Sequence, residues 1–356
     1  MPRYNSKNIG EALRKAANAP ASASSEYAEL KKIIKAQGLM DKRPLYYVFK
    51  ITSTLAMLGT GIAVMVLADS VWIHLLNAVF LGLVFTQFGY LGHDAGHRQI
   101  SENGTRNEVI GLVINFLIGI HRGWWVDQHN IHHSNPNDDE EDPHIAIPVL
   151  AFSHSQYEKK PLFLKRIVRF QAFYFFPLLM LEGLGIRLAG IQFTLRGGKS
   201  RYSALEPALM VAYGVTYLAV VFFLLGPVAG LLFIAVHQAV FGVYMGSVFA
   251  PNHKGMLMPE KGNKLGFLRL QVLTTRNVKP GLFNDFWFGG LNYQIEHHLF
   301  PTMPRKNLGR AQSVIKQFCA EREIPFYETS AMQSYKEILA YLHECGNPAK
   351  SGASVS

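Results

Sequence analysis

The sequence predicts an all-α integral membrane protein in which four transmembrane helices form two hairpins. Three observations carry this prediction. The 356-residue chain is 49% hydrophobic and only 17% charged, whereas soluble domains carry about a quarter charged residues. Four apolar runs reach the ~20 residues that a bilayer crossing requires. The 35 Lys and Arg residues stay out of those runs: none lies between Ile51 and His97, and none between Tyr202 and His253.

Residues 1–44 contain no apolar stretch of the kind that makes a secretory signal, and they are expected to form a cytosolic N-terminal segment. Within it, Tyr27, Leu30, Ile33 and Ile34 make an apolar stripe at helical spacing, with Lys31, Lys32 and Lys35 off it. That pattern predicts an amphipathic helix leading into the membrane. The stretch APASASS before it reads as disordered. The membrane domain is expected over residues 45–330. Its first two spans fall at about 47–67 and 71–92, separated by Ala68, Asp69 and Ser70. The next two fall at about 207–225 and 228–250, separated by little more than Gly226 and Pro227. Two shorter apolar stretches, 109–120 and 172–184, are too short to cross and read as interfacial or re-entrant. Residues 331–356 are expected to supply a C-terminal cytosolic helix and a disordered tail, AKSGASVS. No internal repeat is visible.

The basic residues then orient the chain. By the positive-inside rule the segments up to Lys50, from Arg98 to Arg201, and from Lys254 onward are cytosolic. Both hairpin turns face outside and both termini face the cytosol. The formal charge of +10 follows from this topology and from contact with anionic headgroups. No nucleic-acid motif accompanies it, so no nucleic-acid partner is expected. Cys319 and Cys345 are too few for a disulfide framework or a Cys-rich metal site and read as free cytosolic thiols.

Eight of the 14 histidines fall in four places: His93 and His97; His129, His132 and His133; His253; His297 and His298. On a helix, His93 and His97 lie about 40° apart, and His129, His132 and His133 fall within an arc of about 100°. Such spacing converges imidazoles, and neutral imidazole is a common metal ligand. His74, His237 and His343 stand alone and read as packed or hydrogen-bonded side chains. All four clustered places lie at the cytosolic ends of spans or in cytosolic segments. Eight imidazoles exceed the about four ligands of one zinc and suit a pair of ions; iron, copper, nickel and zinc all stay open. The carboxylate-bridged centre of helical bundles needs two Glu-x-x-His motifs. Only Glu141 to His144 matches, with Pro143 inside it. Glu140, Glu141 and Asp142 read as a solvated acidic loop.

GHDAGH (92–97), QHNIHH (128–133) and NYQIEHHLFPTMPR (292–305) resemble the three histidine boxes of membrane fatty acid desaturases. The third box opens with Gln294 in place of His, a variant similar to that of the front-end desaturases. WW (124–125), PNHKG (251–255), FGGLNYQIEHH (288–298) and YAELKKIIKAQGLM (27–40) resemble the same group, so the similarity covers roughly residues 26–330. The resemblance implies a cytosolic helical cap holding a di-metal site. It implies a di-iron, O₂-dependent oxidoreductase that introduces a cis double bond into a lipid-linked acyl chain, with Δ6- or Δ5-like regioselectivity. His93, His97, His129, His132, His133, His297 and His298 would be iron ligands, and His253 matches a further ligand position. Gln294 would ligate, act through a water, or support a ligand. Asp94, Asp127 and Asn252 would steady ligand imidazoles; the two carboxylates read equally as ordinary solvated or capping groups. Trp124, Trp125 and Trp287 would line an acyl tunnel or anchor the protein at the interface.

Many front-end enzymes carry a fused cytochrome b5 domain with a His-Pro-Gly-Gly haem motif. That motif is absent here, and the residues before the first span are too few for the domain. Electrons are expected from a separate ferredoxin or cytochrome b5, which a basic face would attract. The expected setting is a bacterial plasma membrane, with the endoplasmic reticulum as the alternative. Three other activities fit parts of the pattern. A di-iron lipid hydroxylase, epoxygenase or ketolase would share the site. A His-rich metal transporter would place polar groups at mid-membrane, and a membrane zinc hydrolase would need no oxygen.

Overall fold

The computed structural model describes residues 9–17, 23–260 and 262–347. In chain order the helices are α1 (Ile9–Ala17), α2 (Ala23–Ala36), α3 (Pro44–Leu67), α4 (Val71–Gly96), α5 (Gly104–Ile118), α6 (Arg122–Ser134), α7 (His154–Glu158) and α8 (Leu162–Val168). They continue as α9 (Gln171–Leu179), α10 (Glu182–Leu195), α11 (Leu205–Phe249), α12 (Phe267–Leu273), α13 (Leu282–Trp287), α14 (Gln294–Leu299), α15 (Arg305–Glu321) and α16 (Ala331–Gly346). Two short strands, β1 (Asn277–Val278) and β2 (Glu328–Thr329), pair in parallel with Asn277 opposite Glu328. The chain divides into two compact units. A membrane unit comprises residues 42–127 and 176–247, and a cap unit comprises the described residues of 1–41, 128–175 and 248–356.

In the membrane unit, α3, α4 and α11 are long and apolar enough to cross a bilayer. Pro44 opens α3 at a position where its missing N–H costs nothing. The α3–α4 hairpin is tied at both ends. Near the turn, Asn77 Nδ2 donates to the Gly61 carbonyl at 2.8 Å. At the open end, Tyr47 Oη donates to Gln99 Oε1 at 3.1 Å. Such internal pairing is what a polar side chain needs where lipid offers no partner. Leu55, Ile62, Trp72, Leu76, Val215, Phe223 and Leu231 are exposed, an outward apolar surface of the kind that meets another apolar phase.

The third and fourth expected spans form the single 45-residue element α11. Drawn straight, it would be about 68 Å long, twice what a bilayer needs. It is not straight. Gly226 leaves helical geometry at φ 72, ψ 177. Tyr217 Oη lies 2.8 Å from His237 Nδ1, 20 positions later, a separation of about 30 Å along an unbroken helix. The element therefore reverses at Gly226-Pro227 and its halves pack against each other. The two short apolar stretches are bent pairs: α5 meets α6 at 108°, and α9 meets α10 at 75°. Arg187 of α10 fastens these pieces. Its Nη1 donates to Gln238 Oε1 at 2.7 Å, and its Nη2 donates to the Ile118 carbonyl at 2.7 Å and to Tyr213 Oη at 3.1 Å. At Gly242 a Cβ would fall 2.4 Å from the Leu179 carbonyl oxygen, so only glycine lets α9 come this close to α11.

The cap unit is built on an apolar core that includes Leu13, Leu30, Ile34, Leu268, Val272, Ile295, Leu299 and Ile315. The stripe of α2 differs from expectation in its partner. Leu30 and Ile34 are fully buried in protein, and Tyr27 Oη donates to the Leu299 carbonyl at 2.9 Å. The apolar face thus covers the core of the cap and not a membrane surface. Residues 23–25 of APASASS form the start of α2; the rest of that stretch and the tail AKSGASVS lie outside the described residues. Against expectation His343 is exposed, on α16, while His74 and His237 are buried as expected.

Candidate metal centre

Three segments of the cap unit present the histidines, and each is held by buried polar groups. The first, α6, carries His129, His132 and His133 on adjacent turns. The second follows the turn Ala250–Asn252, which delivers His253. The Arg276 guanidinium grips that turn by donating to the carbonyls of Pro251 and Lys254, and pairs with Glu337 of α16. The third, α14, carries His297 and His298. Asn277 caps it: Oδ1 accepts from the Ile295 N–H at 2.9 Å and Nδ2 donates to Glu296 Oε2 at 2.7 Å.

His132, His253 and His298 are buried, and their nearest ligand atoms lie within 4.8 Å of one another. The hydrogen bonds on the far side of each ring fix the tautomer. Both oxygens of Asp142 lie 3.0 Å from His132 Nδ1. The Thr274 carbonyl lies 3.2 Å from His253 Nδ1. Gln271 Oε1 lies 2.8 Å from His298 Nδ1. Each partner accepts only, so each Nδ1 carries the proton and each Nε2 keeps a lone pair. Yet His132 Nε2 and His253 Nε2 stand 3.3 Å apart, two lone pairs facing each other in a buried site. A cation between them removes the conflict. Nitrogens bound to one ion at ~2.0–2.1 Å are themselves about 3 Å apart, so the spacing fits shared ligation. Burial, with help from the Lys254 ammonium, pushes His132 down to about 3, which leaves the ring neutral and able to ligate at neutral pH.

Gln294 and Asn252 adjoin this cluster. Asn252 Nδ2 donates to the Val248 carbonyl at 3.2 Å and to Gln294 Oε1 at 3.0 Å. The Gln294 amide nitrogen is thereby turned toward His253 Nε2, at 3.0 Å. An amide N–H is a donor and not a metal ligand, and here it faces the same His253 Nε2 lone pair that an ion would take. A second set lies in the same unit: His129 Nε2 is 3.1 Å from His133 Nε2, and the His297 ring centroid is 4.8 Å from that of His133. In the membrane unit, the His93 and His97 rings lie 4.7 Å apart at the end of α4. Asp94 Oδ1 is 3.4 Å from His93 Nδ1, and Trp125 stands 5.6 Å from the His93 ring. Trp124 is half-buried and Asp127 is exposed on α6. Trp287 is half-buried and stacks on Phe283 at 5.7 Å.

Several supporting residues were not among those expected. Asp142, read as part of a solvated acidic loop, is 2% exposed and holds His132. Asn137, at φ 61, sends Nδ2 to the carbonyls of His253, Leu257 and Thr274. Gln271, Thr274, Arg276 and Asn277 belong to one buried run, QVLTTRNV. A sequence signal did exist: a polar quartet in an apolar setting must find internal partners.

Comparison with known proteins follows the same direction. The sequence profile of the fatty acid desaturase family matches residues 70–330. The chain is 30% identical over 335 residues to the acyl-lipid (9-3)-desaturase of Physcomitrium patens, covering 91% of this chain and 63% of that protein. It is 32% identical over 335 residues to the Delta(8)-fatty-acid desaturase of Euglena gracilis, covering 90% and 78%. It is 31% identical over 326 residues to the Delta(6)-fatty-acid desaturase fat-3 of Caenorhabditis elegans, covering 87% and 72%. The chain therefore spans less than two thirds of the length of the first of these relatives.

Proposed function

Since the chain belongs to the fatty acid desaturase family, we propose that it is a membrane oxidoreductase that uses O₂ and two iron ions to place a cis double bond in a lipid-linked acyl chain. The convergence of three lone pairs from His132, His253 and His298 is the observation that carries this reading. One ion is assigned to that cluster. The other is assigned to His129, His133 and His297, and the histidine-box resemblance implies iron-ligand roles for His93 and His97. The bound irons would supply the oxidising power that removing hydrogens from methylenes demands and that no side chain has.

The chain's own groups do the positioning. Asp142, the Thr274 carbonyl and Gln271 keep each Nδ1 protonated, which aims each Nε2 inward. Asn252 orients Gln294 on His253. Asp94 and Asp127 are assigned to steadying neighbouring imidazoles, and Trp124, Trp125 and Trp287 to guiding the acyl chain. Relatives named for Δ8 and Δ6 chemistry support a front-end position for the new bond. The two hairpins are assigned four crossings with both termini in the cytosol. A separate acidic ferredoxin or cytochrome b5 would bring the electrons.

The test is a lipid profile. Wild type and His132→Ala are expressed in a host of known acyl pool, fed a long-chain unsaturated acid and given a competent electron donor. A new double bond between the existing one and the carboxyl end is expected, absent from the variant at equal protein level. A hydroxylated product would replace desaturation by hydroxylation. No new lipid from well-expressed wild type would overturn the proposal.

A further inference from the structure

We propose that Gln271 is a positioning residue that couples the two histidine sets of the cap unit through one amide. The inference rests on the metal reading above. Gln271 is fully buried on α12. Its Nε2 donates to the His133 carbonyl at 2.9 Å, and its Oε1 accepts from His298 Nδ1 at 2.8 Å. The amide cannot be turned over. A carbonyl only accepts, so the NH₂ end must face His133, and the oxygen must face His298. His298 is then obliged to carry its proton on Nδ1 and to offer Nε2 inward. The same two residues also touch directly, their rings stacked at 4.1 Å and 22°. Main chain of one set and ring of the other are thus fixed by a single side chain.

The choice of amide has a chemical consequence. His132 is backed by the carboxylate of Asp142, whereas His298 is backed by a neutral oxygen. A carboxylate partner raises the basicity of an imidazole more than an amide does. Gln271 therefore makes His298 a weaker electron donor than His132, and the two rings facing one position are unequal by design of the residues behind them. It also leaves the His133 carbonyl satisfied, which a carboxylate at this place would repel.

Two substitutions separate positioning from packing. Gln271→Leu keeps the volume and removes both bonds. Gln271→Glu keeps the acceptor for His298, removes the donor to the His133 carbonyl and adds charge. Each protein is purified with iron, and metal per chain, iron release to a competing chelator and the Mössbauer spectrum are compared with wild type. Gln271→Leu is expected to lose iron about 10–100-fold more readily. Gln271→Glu is expected to retain iron with a shifted spectrum for one of the two sites. A folded Gln271→Leu that holds iron as wild type does, with the same spectrum, would overturn the inference. Should the leucine variant fail to fold, an unchanged spectrum in Gln271→Glu would overturn it equally. Wild type that binds no iron would overturn the metal reading itself, and this inference with it.

Discussion

Asp142 accepts from three donors at once. His132 Nδ1 is 3.0 Å from both of its oxygens, the Asn137 N–H reaches Oδ2 at 2.8 Å, and the His144 N–H reaches Oδ1 at 2.9 Å. A carboxylate can satisfy all three; an amide cannot, because half of it donates. Asp142→Asn must therefore turn an NH₂ group toward a donor or release His132. Iron retention is expected to weaken about 10–100-fold, read by competition with a chelator at equal expression. Retention equal to wild type would mean that His132 does not depend on this partner. The clustering of the histidines of α4 and α6 was legible, because i, i+3 and i+4 spacing alone brings imidazoles together on a helix. Asp142 was not. It sits in the run NDDEED, where composition speaks for solvent, and only its place before Pro143, capping a short turn, sets it apart. Gln271 was hidden differently: a lone amide in an apolar helix carries no pattern until its two partners are folded around it.

At the scale of elements, α11 poses a clear question of sign. A Cβ at Gly226 would touch nothing within 4 Å, so crowding plays no part in the outcome. If α11 ran straight, alanine there would stabilise it by about 1 kcal/mol. At φ 72, ψ 177 the backbone occupies a region open almost only to glycine, and alanine costs about 1–3 kcal/mol. Gly226→Ala should therefore lower the unfolding midpoint of the detergent-solubilised protein, and a rise would contradict the reversal. The turn was legible as Gly-Pro between two apolar runs, and so was its position. What α2 packs on was not. Tyr27, Leu30, Ile33 and Ile34 announce a helix with one apolar face, but an apolar face has the same composition whether lipid or protein covers it. The choice was made by residues hundreds of positions away, such as Leu299, whose carbonyl accepts from Tyr27.

For the whole molecule, the charge distribution is the strongest organising fact. Lys50 and Arg98 bracket the first hairpin, Arg201 and Lys254 bracket the second, and no Lys or Arg lies within either. Moving such cations through a bilayer core costs about 2.5–3.5 kcal/mol each on insertion scales, which is the basis of the proposed topology, with the basic segments on one side and the two turns on the other. Arg187 does not break this rule, since its guanidinium donates to carbonyl, amide and phenol oxygens inside the membrane unit and need not meet lipid. The arrangement is measurable with single cysteines. Cys319 is replaced by alanine and Cys345 by serine, and a thiol is placed either in the first turn, Asp69→Cys, or in the exposed loop before α12, Lys264→Cys. A membrane-impermeant maleimide should label the first in intact cells and the second only after permeabilisation. Labelling of position 264 in intact cells would put the histidine-bearing segments outside, away from any cytosolic reductant, and would remove the basis for a ferredoxin or cytochrome b5 as electron donor.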